Sequence, residues 1–162
     1  MTPLRPGPGP SAESQTRTQP LRVLIADDDR DSALTLSTLL EIEGFEVRTV
    51  HGGQEALDAA REFRPDVVLL AQSGEDALRL VLKHEFAAIL LDVRLPGMDG
   101  YEVAAAIRTL ERTRRTPIIF MSAEDDRRTA LRDGAAETYL RKPLEPDVLL
   151  PTLAHLLGSN RA

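Results

Sequence analysis

From Leu21 onward, short apolar runs alternate with amphipathic segments almost to the end of the chain. The order is LRVLIA, DSALTLSTLLEIEG, FEVRTV, GQEALDAAREF, DVVLL, SGEDALRLVLKHEF, AAILL, GYEVAAAIRTLERT, PIIFM, EDDRRTALRDG, TYLRK and EPDVLLPTLAHLL. Runs of four to six apolar residues suit strands buried on both faces, and the segments between them have one apolar stripe each, as helices lying on a sheet require. The pattern predicts an α/β fold with six parallel strands and six helices.

Residues 1–20 stand outside this pattern. They hold Pro3, Pro6, Pro8, Pro10 and Pro20 among Gly, Ser, Thr and Gln, with almost nothing to bury, and read as a disordered leader. The expected organisation is that leader, a domain over 21–157 and a short tail over 158–162. At 162 residues, 42% hydrophobic and 28% charged, the chain suits one ordinary globular domain. No apolar run approaches membrane-spanning length and the first residues lack a secretory core, so a cytoplasmic protein without a membrane partner is expected. Absence of cysteine excludes disulfides and thiolate metal sites. A net charge of −6 argues against direct nucleic-acid binding. Arg108, Arg112, Arg114 and Arg115 are expected to form a solvated helix end.

Several boundaries are punctuated. Gly44 and Gly134 follow amphipathic segments, as left-handed helix caps do, and Ser73 with Asp76 three residues on resembles a capping box. Pro146 suits a first helical turn, whereas Pro151 predicts a kink or a late start. At a shift of 21 residues, VHGGQEALDAAREFRPDVVLL and AQSGEDALRLVLKHEFAAILL agree at Gly53/Gly74, Ala56/Ala77, Leu57/Leu78, Leu69/Leu90 and Leu70/Leu91. Residues from about 50 to 91 therefore read as two similar helix–strand units. Only the second ends in an acid, since Leu70 is followed by Ala71 and Leu91 by Asp92.

Parallel sheets gather ligands at the carboxyl ends of their strands. There the sequence places Asp27 and Asp28 after the first strand, Asp92 after AAILL, Ser122 after PIIFM, and Lys142 after TYLR. Converging carboxylates repel one another unless a hard cation lies between them, and oxygen ligands without cysteine point to magnesium, Mg2+. The histidines His51, His84 and His155 have no acid at triad or metal-ligand spacing and read as ordinary surface or half-buried side chains.

Together VLIADDD, ILLDVRLPGMDG, IIFMSA and YLRKP resemble, in order, the receiver domain of bacterial two-component response regulators. The resemblance implies a flavodoxin-like doubly wound parallel sheet, here with six strands in place of five. It implies Asp92 as phosphoacceptor, and magnesium held by Asp27, Asp28, Asp92 and the carbonyl of Arg94. Ser122 and Lys142 would contact the phosphoryl group, and Tyr139 would be the aromatic switch residue coupled to Ser122. The implied function is phosphorylation-dependent signalling without other enzymatic activity: Asp92 takes a phosphoryl group from a sensor histidine kinase or phosphotransfer protein, in a phosphorelay, and a changed surface engages a downstream protein or a second copy of the chain. Arg94 and Glu124 resemble residues that tune phosphoryl lifetime.

The surplus helix–strand unit leaves two placements for DVVLL. Because VVLL is apolar throughout while EVRTV alternates, the expected order is FEVRTV, DVVLL, RVLIA, AAILL, PIIFM, TYLRK, which keeps Asp92 beside Asp27. In the alternative, DVVLL separates RVLIA from AAILL, and the protein is a non-phosphorylatable pseudo-receiver. A haloacid-dehalogenase-type phosphatase also uses an aspartate at a strand end. It wants a second acid two residues on, where this chain has Arg94.

Overall fold

The computed structural model describes residues 19–123 and 138–159. The elements follow the order β1 (Arg22–Asp27), α1 (Arg30–Ile42), β2 (Glu46–Val50), α2 (Gly53–Phe63), β3 (Val67–Ala71), α3 (Gly74–Lys83), β4 (Ala88–Asp92), α4 (Gly100–Thr109), β5 (Ile118–Ser122), β6 (Thr138–Arg141) and α5 (Pro146–Ser159). All six expected strands are present and every pairing is parallel. The expected helix EDDRRTALRDG, including the Gly134 cap, and nearly all of the leader lie outside the described residues.

The strands alternate their side chains between two layers. Leu24, Val68, Ile89 and Phe120 face α2, α3 and α4, whereas Val23, Leu69, Leu90 and Met121 face α1 and α5. In β1, β3, β4 and β5 nearly every apolar residue is buried, as doubly covered strands require. In β2 the burial alternates, and Arg48 stacks on the ring of Phe63 at 4.9 Å while pairing with Glu62, a usual way for an edge strand to carry a charge.

The strand order is β2-β1-β3-β4-β5-β6, which corrects the expected order. β2 is the edge in both arrangements, but β3 lies between β1 and β4. The physical reason is economy of connection. The observed order makes neighbours of β1 and β2, and of β3 and β4, so α3 links adjacent strands and packs against both α2 and α4. The expected order separated β3 from β4 by β1. Hydrogen bonds secure the start of β3 on both sides: Asp66 N donates to Arg22 O at 2.8 Å, and Ala87 N donates to Asp66 O at 2.7 Å. The Arg22 amide also donates to the Asp66 carboxylate at 3.0 Å.

Local signals fared better. Gly44 has φ +95 and closes α1, and Ser73 Oγ accepts the Asp76 amide at 3.2 Å. α5 starts at Pro146 and carries Pro151 inside it, so the late start is not observed. The arginine run is more structural than a solvated helix end. Arg108 Nη1 donates to the carbonyls of Thr116 at 2.7 Å and Arg114 at 3.0 Å, holding the α4–β5 connection, and Arg112 reaches the carbonyl of Leu82 at the end of α3.

Candidate functional site at the carboxyl edge of the sheet

The carboxyl edge brings together most of the side chains singled out by sequence, but in two groups. β4 delivers Asp92, which is 8% exposed. The Lys142 ammonium, on the turn after β6, contacts Asp92 Oδ2, and the Arg94 amide donates to Asp92 Oδ1 at 3.0 Å. One strand further, Ser122 is buried at the end of β5, and the Lys142 amide donates to its carbonyl at 2.8 Å. Tyr139 is buried in the α2–α4 layer, its ring edge-on to Phe120 with centroids 6.5 Å apart. These residues form the acceptor half of the expected pocket. Glu124, the expected partner of Arg94, lies outside the described residues.

The second group belongs to β1. Asp27 is half-buried, and its Oδ1 accepts the Asp29 amide at 2.9 Å. Burial pushes the Asp27 carboxyl above its ordinary value; the Asp29 amide opposes this and the neighbouring Asp28 reinforces it. Asp28 is exposed. Asp29 caps α1 through Oδ1, accepting the amides of Asp31 at 3.0 Å and Ser32 at 3.2 Å. These bonds satisfy the first amides of α1 and hold the Asp29 carboxyl below the usual range.

Ala71 stands between the two groups. It pairs in register with Asp27 across β1–β3, and because Leu70 pairs with Leu91 across β3–β4, it also lies level with Asp92. Neighbouring strands are about 4.8 Å apart, so the backbones of Asp27 and Asp92 are about 10 Å apart. A single magnesium ion binds oxygens at about 2.1 Å, so a shared site needs both carboxylates to reach over Ala71 toward one point. Asp92 is instead turned to Lys142 and the Arg94 amide, and Asp27 to the Asp29 amide. Consistently, no group of three or more His, Asp or Glu residues able to hold a metal ion occurs among the described residues. Asp27, Asp28 and Asp92 do not fit a shared magnesium site in this arrangement.

Two participants escaped the sequence reading. His51, at the end of β2, places Nδ1 2.8 Å from the carbonyl of Asp27. Since a carbonyl only accepts, Nδ1 carries the proton, and the strand-end backbone is tied down by a side chain that looked isolated. Gln72, directly after Ala71, is 4% exposed, and its Nε2 is a buried donor without a partner among the described residues. A single amide beside an apolar run gives no sequence signal of burial.

Comparison with known proteins agrees with this architecture. The family model for the response regulator receiver domain matches residues 23–71 and again 68–154, the two matches sharing 68–71 in β3. One receiver matched in two overlapping pieces is what a surplus helix–strand unit produces. The DNA-binding response regulator MtrA of Mycobacterium tuberculosis is 31% identical over 86% of this chain and 51% of that protein. The sensory/regulatory protein RpfC of Xanthomonas campestris is 28% identical over 94% of this chain and 19% of that protein. The chain thus spans about half of the length of the first of these relatives and about a fifth of the second. Among solved structures, the response regulator TrrA of Thermotoga maritima, in complex with Mg(2+)-BeF, is 26% identical with a TM-score of 0.59, covering 84% of this chain and 98% of that one. With a parallel doubly wound sheet, acids and a lysine at its carboxyl edge, and family matches over most of its length, this chain belongs to the response regulator receiver domain family.

Proposed function

We propose that the chain is a receiver-type signalling module that works through protein interaction and is not switched by magnesium-dependent phosphorylation of Asp92. The observation that carries this reading is the register of β3, which places Ala71 beside Asp27 where a receiver pocket needs a carboxylate, and sets Asp92 one strand away. Phosphoryl transfer to a carboxylate depends on neutralising the charge of both reactants, and here β3 separates the strand of the acids that would hold the cation from the strand of the nucleophile. Asp92 instead keeps Lys142 as a standing counter-ion.

The partner in this reading is a protein, either a sensor histidine kinase that docks without transferring phosphate or a downstream component. A net charge of −6 disfavours nucleic acid as the partner of this segment. MtrA is named as DNA-binding, but this chain corresponds to only 51% of its length. Among the described residues no helix is long and apolar enough to cross a membrane.

One experiment tests the reading: incubation with acetyl phosphate and magnesium, followed by intact-mass spectrometry. The expected spectrum shows no phosphoryl adduct. A second reading, phosphorylation of Asp92 as in a conventional receiver, draws on the intact Asp92–Lys142 pair and the nearby Ser122. A single adduct on the wild type that disappears in Asp92→Asn would establish it and overturn the first.

A further inference from the structure

The surplus strand has a consequence on the face away from α2, α3 and α4. Each unit adds its helix to that layer, so among the described residues the opposite layer has only α1 and α5 to cover six strands. A groove of about 570 Å³ runs between α1 and the turn after β6. Leu69 and Met121 form its floor, Leu36 and Leu39 of α1 one wall, and Pro143 and Leu144 the other. It opens at the carboxyl edge, where Asp27 and Asp31 line the mouth. The volume falls within the range of small-molecule sites, which run from about 300 to 1,000 Å³, and the position is where open α/β sheets bind ligands.

The charge at the mouth selects the ligand. Lys142 also lines the groove and its charge is felt by Asp27, but its ammonium contacts Asp92, which leaves Asp27 and Asp31 without an ion pair of their own among the described residues. A bare divalent ion would find too few ligands, since no three metal-binding side chains cluster among the described residues. An apolar body would fill the groove over Leu69 and Met121 and remove their surroundings from water, while a cationic head would satisfy Asp27 and Asp31.

We propose that this groove binds a small amphipathic organic cation, an apolar or aromatic body carrying one ammonium or amidinium group, with the head between Asp27 and Asp31. Binding there would bridge α1 to the turn that carries Lys142, giving the module an input that needs no phosphoryl group. The proposal stands apart from the question of Asp92 phosphorylation, and its test uses no phosphodonor.

The probes are three molecules with one body: 2-naphthylmethylamine, 2-naphthylmethanol and 2-naphthoate, titrated into the full chain by NMR and by fluorescence. The amine should bind roughly tenfold more tightly than the alcohol, and the carboxylate more weakly still. The double variant Asp27→Asn/Asp31→Asn should reduce amine affinity to that of the alcohol and leave the alcohol unchanged. Thr35→Phe, an exposed helical position on the groove wall, should block all three probes while circular dichroism stays as in the wild type. Equal affinity for amine and carboxylate, amine binding that survives Thr35→Phe, or no amine binding up to its solubility limit would each overturn the proposal.

Discussion

The two helix–strand units, α2–β3 and α3–β4, are alike in nearly everything that determines folding and differ in the residue that determines chemistry. Each begins with a glycine that permits close packing. A Cβ on Gly53 would lie 2.5 Å from the Asp76 carboxyl of the next unit, and one on Gly74 would lie 2.0 Å from the Met98 carbonyl of the loop beyond. Each helix buries an alanine at its fourth residue, Ala56 or Ala77, and each strand is apolar and covered on both faces up to its last residue. At the strand ends, however, stand Ala71 and Asp92. The lesson is that a sheet accepts a second copy of such a unit readily, because strand pairing is made by backbone, whereas a site assembled across strands depends on which strands are neighbours.

The strongest test of this likeness is whether both strands are equally central. Val68 and Ile89 are each 0% exposed and pair in register. An aspartate at either position buries an unpaired charge costing several kcal/mol against a total stability of roughly 5 to 15, so both Val68→Asp and Ile89→Asp should unfold the domain in a thermal melt. Hydrogen exchange on the wild type should agree, with β3 amides as slow as those of β4 and faster exchange in β2, which pairs with β1 alone. A folded Val68→Asp beside an unfolded Ile89→Asp would mean that β3 is peripheral.

The next effect concerns the difference between the units. Ala71→Asp puts a carboxylate on the strand that neighbours β1, level with Asp27. Without a cation the crowded acids should lower the melting temperature, and magnesium should restore it, while the wild type shows no magnesium dependence. Calorimetry should detect magnesium binding in the variant alone. A magnesium-dependent melting temperature in the wild type would show that Asp92 and the β1 acids share a cation despite β3.

How much was legible in advance follows from the same contrast. The alternating apolar runs gave the six strands, the described helices and the surplus unit, since burial on one or two faces is written in side chains. VVLL and VLIA, by contrast, are equally apolar, and Val68 and Leu24 present the same surface to either neighbour, so which strand stands between which is settled by connections and backbone pairing. Asp92 and Lys142 were legible as strand-end groups converging on one edge of the sheet, though their direct contact was not. The bond from His51 to the Asp27 carbonyl could not be read, because a backbone acceptor 24 residues away leaves no mark in sequence.

A smaller effect is expected in the acceptor half. Asp92 is buried and its counter-ion is partly exposed, with side-chain exposures of 11% for Asp92 and 38% for Lys142. Lys142→Ala leaves a buried carboxylate with, among the described residues, only the Arg94 amide, and should destabilise by about 1 to 3 kcal/mol. Asp92→Asn removes the charge itself and should cost less. Urea unfolding curves compare the two, and a reversed order would mean that Asp92 has another source of compensation.

The smallest effect lies at the ends of the two helices. α2 terminates at Arg64 with φ 51 in the left-handed region, whereas α3 terminates at His84 in extended backbone. A cation at a helix C-terminus is ordinarily favourable. At His84 that benefit is opposed: burial pushes its pKa below the ordinary 6.5, and the positive charges of Arg61, Lys83 and Arg112 push in the same direction. Because the folded state holds the proton less tightly than the unfolded state, the contribution of neutral His84 to stability is fully present above the unfolded pKa. It is lost as pH falls through the folded value. The wild type should therefore lose slightly more melting temperature than His84→Asn as pH is lowered from about 8 to 5, the interval over which histidine titrates. The residue is half-buried and still reached by solvent, so the difference should be small and should shrink further when Arg112→Gln removes one of the opposing charges. A wild type that gains melting temperature relative to His84→Asn on acidification would show that the helix terminus outweighs the three surrounding cations.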